Sequence, residues 1–217
     1  MLEICQLTKS YLTPSGRKYI FKNLNFSVPP DKNVALIGRN GAGKSTLMRL
    51  IGGADRADYG TITTDKSISW PVGLSGGFQG SLSGSENVKF VCRVNGCNRQ
   101  AIRDKVEYVR EFSELGDWFQ EPVKTYSSGM RSRLAFGLSM AFDFDYFLID
   151  EVMSVGDAQF KEKCSAVFND KLRKSKIILV THSMSDVRKF CDLVVLIQDG
   201  TATTFIDVEE GIRAYKA

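Results

Sequence analysis

Between the apolar run Asn33–Ile37 and an apolar-periodic segment beginning near Lys44 stands the octapeptide Gly38-Arg39-Asn40-Gly41-Ala42-Gly43-Lys44-Ser45. Glycines at these places let the backbone turn tightly enough for successive N–H groups to point at one anion. A helix that starts directly afterwards adds its positive N-terminal end. The pattern works only with a strand before it and a helix after it, so it commits this part of the chain to an α/β layer carrying a phosphate-bearing ligand. Lys44 is spaced to reach terminal phosphates and Ser45 to hold Mg²⁺ through its hydroxyl. A chance glycine turn before a helix is the competing reading; Lys-Ser in the required place weighs against it.

The surrounding pattern agrees. Strands are expected at Leu2–Leu7 and Leu24–Val28, separated by the turn residues Pro14-Ser15-Gly16, then at Asn33–Ile37, Gly60–Thr64 and Ser67–Trp70. The middle is helical: Ile102, Val106, Val109 and Phe112 share one face, and a second helix is expected over Ser128–Phe142. Tyr146–Ile149 reads as a strand, Ala158–Leu172 as a charged amphipathic helix, and Ile177–Val180 as a strand. Leu193–Gln198 turns at Asp199-Gly200 into Thr201–Ile206. Strands alternating with helices predict a mainly parallel sheet, with antiparallel strands at the front and a helical insert in the middle.

Three further features bear on chemistry. Phe147-Leu148-Ile149-Asp150-Glu151 is an apolar strand ending in two acids. Beside a phosphate loop, Asp150 would orient Mg²⁺ through water, and Glu151 would accept the proton of an attacking water. Standing alone, the pair would more often be a solvated turn. His182, the single histidine, follows Ile177–Val180 directly, at the strand end where such sheets place their sites. It is assigned to the γ-phosphate. Tyr126-Ser127-Ser128-Gly129-Met130 opens a helix with small hydroxyl residues and a glycine. This is either a second anion site, reached by a phosphate held on another copy of the chain, or an ordinary serine N-cap.

Bulk properties exclude several classes. The net charge of +4 is spread without a Lys/Arg block, unlike a dedicated nucleic-acid binder. The apolar runs are too short to cross a bilayer. The first ten residues carry Glu3 and Lys9 and no long apolar stretch, so no secretory leader is expected. Five scattered cysteines (Cys5, Cys92, Cys97, Cys164, Cys191) read as buried thiols of a reducing compartment.

Taken in order, the phosphate loop, Tyr126–Met130, Tyr146–Glu151, Ser154-Val155-Gly156-Asp157 and His182 resemble the ATP-binding cassette (ABC) ATPases over essentially the whole chain. The resemblance implies one nucleotide-binding domain over residues 1–217, with the helical subdomain and a glycine-rich loop within about 72–142. It implies ATP and Mg²⁺ as ligands, with Gly38 through Ser45 and Thr46 around the phosphates and Tyr11 stacking on adenine. Ser127, Ser128 and Gly129 would contact the ATP of a second copy in a sandwiched homodimer, and Ser154–Asp157 would cross the interface. The family signature usually reads Leu-Ser-Gly-Gly-Gln; here Ser128 and Met130 replace Gly and Gln, while Ser127 and Gly129 remain.

More narrowly, "GGFQGSLSG", "YSSGMRSRLAFGLSMAFDFDYFLIDE" and "SVGDAQF" look like the ATPase subunits that export bacterial capsular polysaccharide. O-antigen and teichoic-acid ATPases share much of the pattern, so another surface polymer or a lipid is the alternative cargo. The resemblance implies a separate membrane permease that makes most of the polysaccharide contact, no nucleic-acid partner, and a peripheral place on the cytoplasmic face of the inner membrane. DNA-maintenance and ribosome-associated relatives carry long coiled coils or two cassettes, and a small-molecule kinase has no use for the Tyr126–Met130 helix.

The stretch Pro71–Gly84 has the composition of a linker. In the resembled family this place holds a glutamine loop that senses the γ-phosphate and touches the permease. Gln79 is then the candidate sensor, its amide reaching Mg²⁺ and the attacking water, and the glycines are hinge positions.

Overall fold

The computed structural model describes residues 1–72, 77–150 and 158–217. The chain divides into two compact units, one of Met1–Pro71, Phe144–Val152 and Lys174–Ala217, the other of Val72–Asp143 and Met153–Arg173.

The first unit holds two sheets. β1 (Leu2–Thr13) pairs antiparallel with β2 (Gly16–Val28) and, on its other side, with β4 (Tyr59–Thr64). The hairpin is longer than the expected Leu2–Leu7 and Leu24–Val28. Register shifts interrupt it, with Gln6 at φ 50° and Asn23 at φ 57°. Asn25 bridges this irregularity, its Oδ1 accepting the Gln6 N–H at 2.8 Å and its Nδ2 donating to the Asn23 carbonyl at 2.6 Å. These bulges break the apolar alternation that marks a strand in sequence.

The second sheet runs in the order β5 (Ile68–Val72), β6 (Tyr146–Asp150), β7 (Lys176–Val180), β3 (Val34–Ile37), β8 (Leu193–Gln198), β9 (Thr201–Phe205). β6, β7, β3 and β8 are parallel neighbours, and β9 returns antiparallel along β8 through Asp199 (φ 49°) and Gly200 (φ 77°). That turn is the left-handed two-residue type favoured by Asp-Gly. All four residues of β3 are buried, as are Leu193–Ile197 of β8, which is why both read as unbroken apolar runs rather than alternations. Asn33 fastens the start of β3 to its neighbours: its Oδ1 accepts the Ile177 N–H at 3.1 Å and its carbonyl accepts the Asp192 N–H at 2.8 Å. Leu36, Leu47, Met48, Leu148, Val180 and Val195 form the core between sheet and α1 (Lys44–Ile51).

The second unit is built from α2 (Gly84–Val94), α3 (Arg99–Ser113), α4 (Ser128–Met140) and α5 (Ala158–Leu172). Phe112 is its hub. The ring stacks on Phe136 at 5.7 Å and on Tyr108 at 5.9 Å, and meets Phe160 edge-on at 5.5 Å. The absence of a Cβ at Gly137 admits Phe112, whose Cδ1 would lie 3.1 Å from an added one. Lys163 closes the end of α3, donating to the Phe112 carbonyl at 3.0 Å and to Glu114 at 2.6 Å. That pairing, with Arg133 also at 3.2 Å, holds the Glu114 carboxyl below the usual range.

Three helices were not expected from the pattern: α2, α6 (Met184–Phe190) and α7 (Val208–Lys216). Among the described residues, no helix is long and apolar enough to cross a membrane.

Candidate functional site

The loop that follows β3 is shaped by its glycines. Gly38 is buried against β8, where an added Cβ would lie 2.3 Å from the Ile197 carbonyl oxygen. Gly43 adopts φ 99° and its added Cβ would meet Ile20 and Phe21 at 2.6 Å, so both conformation and space require glycine. The Ala42 N–H closes the turn on the Arg39 carbonyl at 3.1 Å, and the Gly43 carbonyl takes the Leu47 N–H at 2.8 Å, starting α1. No acid stands in the first turn of α1, which leaves its N-terminal end positive. Lys44 is only 7 % exposed; its Nζ donates to the Gly38 carbonyl at 2.8 Å and the Arg39 carbonyl at 3.0 Å. The ammonium is thus seated inside the loop. Ser45 is exposed, Thr46 is buried, and Arg39, Asn40 and Gly41 line the exposed rim.

Parallel pairing brings two further residues to the same edge. Asp150 lies level with Val180, and Val180 lies level with Leu36, so β6, β7 and β3 end together. Asp150 and the start of the loop are two strands apart, about 10 Å. His182 follows Val180 by two residues and is exposed. Ser183 then caps α6, accepting the Asp186 N–H at 3.3 Å. Lys44, Ser45, Asp150 and His182 therefore sit along one sheet edge, the carboxyl end where α/β folds place ligands. Glu151 and Ser154–Asp157 lie outside the described residues.

Tyr11, near the end of β1, is half-buried. Its hydroxyl donates to Asp55 Oδ2 at 2.7 Å, and Lys9 Nζ stands 4.9 Å from its ring centre. Lys18, its cross-strand partner, lines a cleft of about 320 Å³ together with Tyr19, Ile20 and the Arg39–Ala42 rim of the loop.

In the other unit, Ser127 is the N-cap of α4, accepting the Met130 N–H at 3.2 Å, with Ser128 exposed and Gly129 half-exposed. The ordinary capping interaction is present, and the next residues open the helix toward solvent. Arg131 and Tyr126 hold the approach: Arg131 donates to the Tyr126 carbonyl at 2.7 Å, and the Tyr126 hydroxyl to the Trp118 carbonyl at 2.6 Å. Gln79 is exposed, and its backbone is bound by the buried Asn87.

Residue-type reasoning did not single out Lys9, Asp55, Arg49 or Asn87. For Asn87 a local cue existed: Ser83 and Glu86 form a capping box that starts α2 and so buries Asn87 on its inner face. The Tyr11–Asp55 contact spans 44 residues and has no local signal. Of the cysteines, Cys92, Cys164 and Cys191 are buried as expected, whereas Cys5 is exposed and Cys97 half-exposed; Cys5 lies on the irregular stretch of β1, and Cys97 follows the last turn of α2.

A family model described as ABC transporter matches residues 21–154. The chain is 55% identical over 217 residues to the polysialic acid transport ATP-binding protein KpsT of Escherichia coli, covering 100% of this chain and 96% of that protein. It is 44% identical over 215 residues to the ATP-binding protein BexA of Haemophilus influenzae, covering 99% and 98%. A solved dimeric ATP-binding cassette, in a post-hydrolysis state with ADP and Pi, superposes with a TM-score of 0.74 at 20% identity, covering 95% of this chain and 98% of that one. At that identity the likeness concerns the fold.

Proposed function

This chain belongs to the ABC transporter family, and on that premise we propose that it is the ATP-hydrolysing subunit of an exporter of capsular polysaccharide. The observation that carries the reading is the shared edge of β3, β6 and β7, along which the loop that seats the Lys44 ammonium, Ser45, Asp150 and His182 are placed. Relatives named for polysialic acid transport and covered over nearly their full length support the cargo class.

In this reading the amides of Gly41–Ser45 and the α1 N-terminus take the phosphates of ATP, with Lys44 at the terminal ones. The oxygen donors Ser45 and Asp150 suit a hard divalent cation that keeps most of its water, and no cluster of three ligating side chains is formed among the described residues. Mg²⁺ held there supplies charge neutralisation on the phosphates. Glu151 accepts the proton of the attacking water, and His182 contacts the γ-phosphate and positions that water. Ser127, Ser128 and Gly129 are contributed by a second copy, and Gln79 reports the γ-phosphate to a separate permease. The subunit works peripherally at the cytoplasmic face of the inner membrane, and the permease makes most of the contact with the polymer.

The test is twofold. Purified Lys44→Ala protein should lose tight ATP binding, while Glu151→Gln protein should bind ATP yet turn over about 10²–10⁴-fold more slowly. Cells carrying either variant as the sole copy should keep polysaccharide inside and lack surface capsule. Normal turnover by the Glu151→Gln protein would overturn the assignment of the base. Normal capsule on cells lacking the gene would overturn the cargo.

A further inference from the structure

The hydroxyl of Tyr11 points to something beyond stacking. A ring that only stacked on a base would need no hydroxyl, and phenylalanine would serve. Here the hydroxyl donates at 2.7 Å to Asp55 Oδ2, and the Arg49 guanidinium donates to the Tyr11 hydroxyl oxygen at 3.4 Å. Asp55 is itself held on every side. Its other oxygen takes Lys9 Nζ at 2.7 Å and the Arg56 N–H at 2.7 Å, while its own N–H and that of Ala54 bond to the Arg49 carbonyl at 3.2 and 2.9 Å. Lys9, 7 % exposed, also donates to the Arg56 carbonyl at 2.7 Å and lies 4.9 Å from the Tyr11 ring centre.

Two consequences follow from this wiring. Lys9 occupies one face of the ring, so a flat partner must use the other. The anchor also hangs from Arg49, in the last turn of the helix whose first residue is Lys44. One rigid helix of eight residues, about 12 Å long, therefore carries the phosphate grip at one end and the support of Tyr11 at the other.

We propose that Asp55, braced by Lys9, is a positioning residue that fixes the Tyr11 ring at a set distance from the phosphate loop, so that the base and the triphosphate of one purine nucleotide are bound as a unit. This rests on the reading of Tyr11 as the base platform. A pinned ring loses no freedom when a base docks, which favours binding.

The experiment measures binding of ATP and of inorganic tripolyphosphate, each with Mg²⁺, to the full-length protein by calorimetry. Tyr11→Phe removes only the hydroxyl. The double variant Lys9→Met/Asp55→Leu removes the brace without leaving a buried charge unpaired. Both should weaken ATP binding about three- to tenfold, part of the value of a hydrogen bond to a charged group, and leave tripolyphosphate binding as in wild type. Tyr11→Ala tests the underlying reading. If Tyr11→Ala binds ATP like wild type, the platform reading fails. If Tyr11→Ala weakens ATP but Tyr11→Phe and the double variant do not, the platform stands and the positioning role is overturned. Parallel loss of tripolyphosphate binding in Tyr11→Phe would also overturn it, since the effect would then not concern the base.

Discussion

The side-chain amide of Asn87 holds the backbone of Gln79 from both directions: its Oδ1 accepts the Gln79 N–H at 2.8 Å, and its Nδ2 donates to the Gln79 carbonyl at 3.1 Å. The same Nδ2 reaches the carbonyls of Leu82 at 3.2 Å and Ser83 at 2.9 Å. Across from them, the Lys124 N–H bonds to the Gly80 carbonyl and the Val123 N–H to the Leu82 carbonyl, each at 2.9 Å. Residues 79–83 are therefore fastened to α2 by a 2 %-exposed asparagine, despite a composition that reads as slack linker.

Asn87→Ala should expose this dependence. It leaves the part-buried Gln79 N–H without its acceptor, while the Gln79, Leu82 and Ser83 carbonyls keep only their backbone donors, at a cost of about 1–3 kcal/mol by the usual value of such losses. Asn87→Asp keeps the acceptor and loses the donors, so it should fall between alanine and wild type. Urea unfolding measures the cost, and a midpoint unchanged in the alanine variant would show that Asn87 holds nothing. If residues 79–83 pass ATP binding on to a permease, capsule export should fall further than ATPase activity.

How much of this could be read beforehand follows from how local each feature is. The loop Gly38–Ser45, the Asp199-Gly200 turn and the bounds of Ala158–Leu172 depend on neighbours in sequence, and all three are present at the expected residues. The long hairpin was half hidden, because Gln6 and Asn23 take left-handed conformations that shift the register and scramble alternation. α7 leaves little trace in the sequence pattern, although Asp207 caps it through the Glu210 N–H at 2.7 Å. Its nine residues give too few turns for periodicity to stand out. The expected helix over Ser128–Phe142 stops at Met140, where Lys105 and Lys171 from other helices take the carbonyls of Ala141 and Phe142. Contacts such as Tyr11 to Asp55 arise only once the chain has folded.

Asp55 should make the first unit sensitive to acid. Burial pushes its carboxyl up, but the hydrogen bonds from Lys9, Tyr11 and the Arg56 N–H outweigh it and bring it down to about 2, against an ordinary 3.8. A carboxyl lowered on folding contributes stability that is complete above about pH 4 and disappears as the pH falls through 2. The contribution is on the order of 2 kcal/mol. Unfolding followed between pH 5 and pH 2 should show a steep loss in wild type and a flatter one in Asp55→Asn. Equal slopes would mean that the carboxylate is not the titrating support.

Thiol reactivity should separate the cysteines into two groups. Burial pushes Cys92 and Cys164 up to about 11 and Cys191 up to about 12, so near pH 8 they offer almost no thiolate. Cys5 is exposed and Cys97 half-exposed. Iodoacetamide with peptide mass mapping should therefore modify Cys5 and Cys97 in the native protein, and the other three only in denaturant. Rapid native labelling of Cys191 would contradict its packing.

Lys44 and Ser127 belong to different compact units, and the proposed site needs each of them from a different copy of the chain. Two single variants should then complement each other. Lys44→Ala removes the phosphate grip, and Ser127→Asp places a carboxylate where the partner's phosphate would arrive. Aspartate is as good an N-cap as serine, so α4 keeps its start and the lesion is electrostatic. Neither variant alone should form an ATP-dependent dimer. An equimolar mixture should form heterodimers with one intact site, visible as a shift in light scattering on adding ATP. Wild-type specific activity should rise with protein concentration as the dimer forms. If Ser127→Asp protein dimerised on ATP as wild type does, or if wild-type turnover were independent of concentration across the dimerisation range, the shared site would be ruled out.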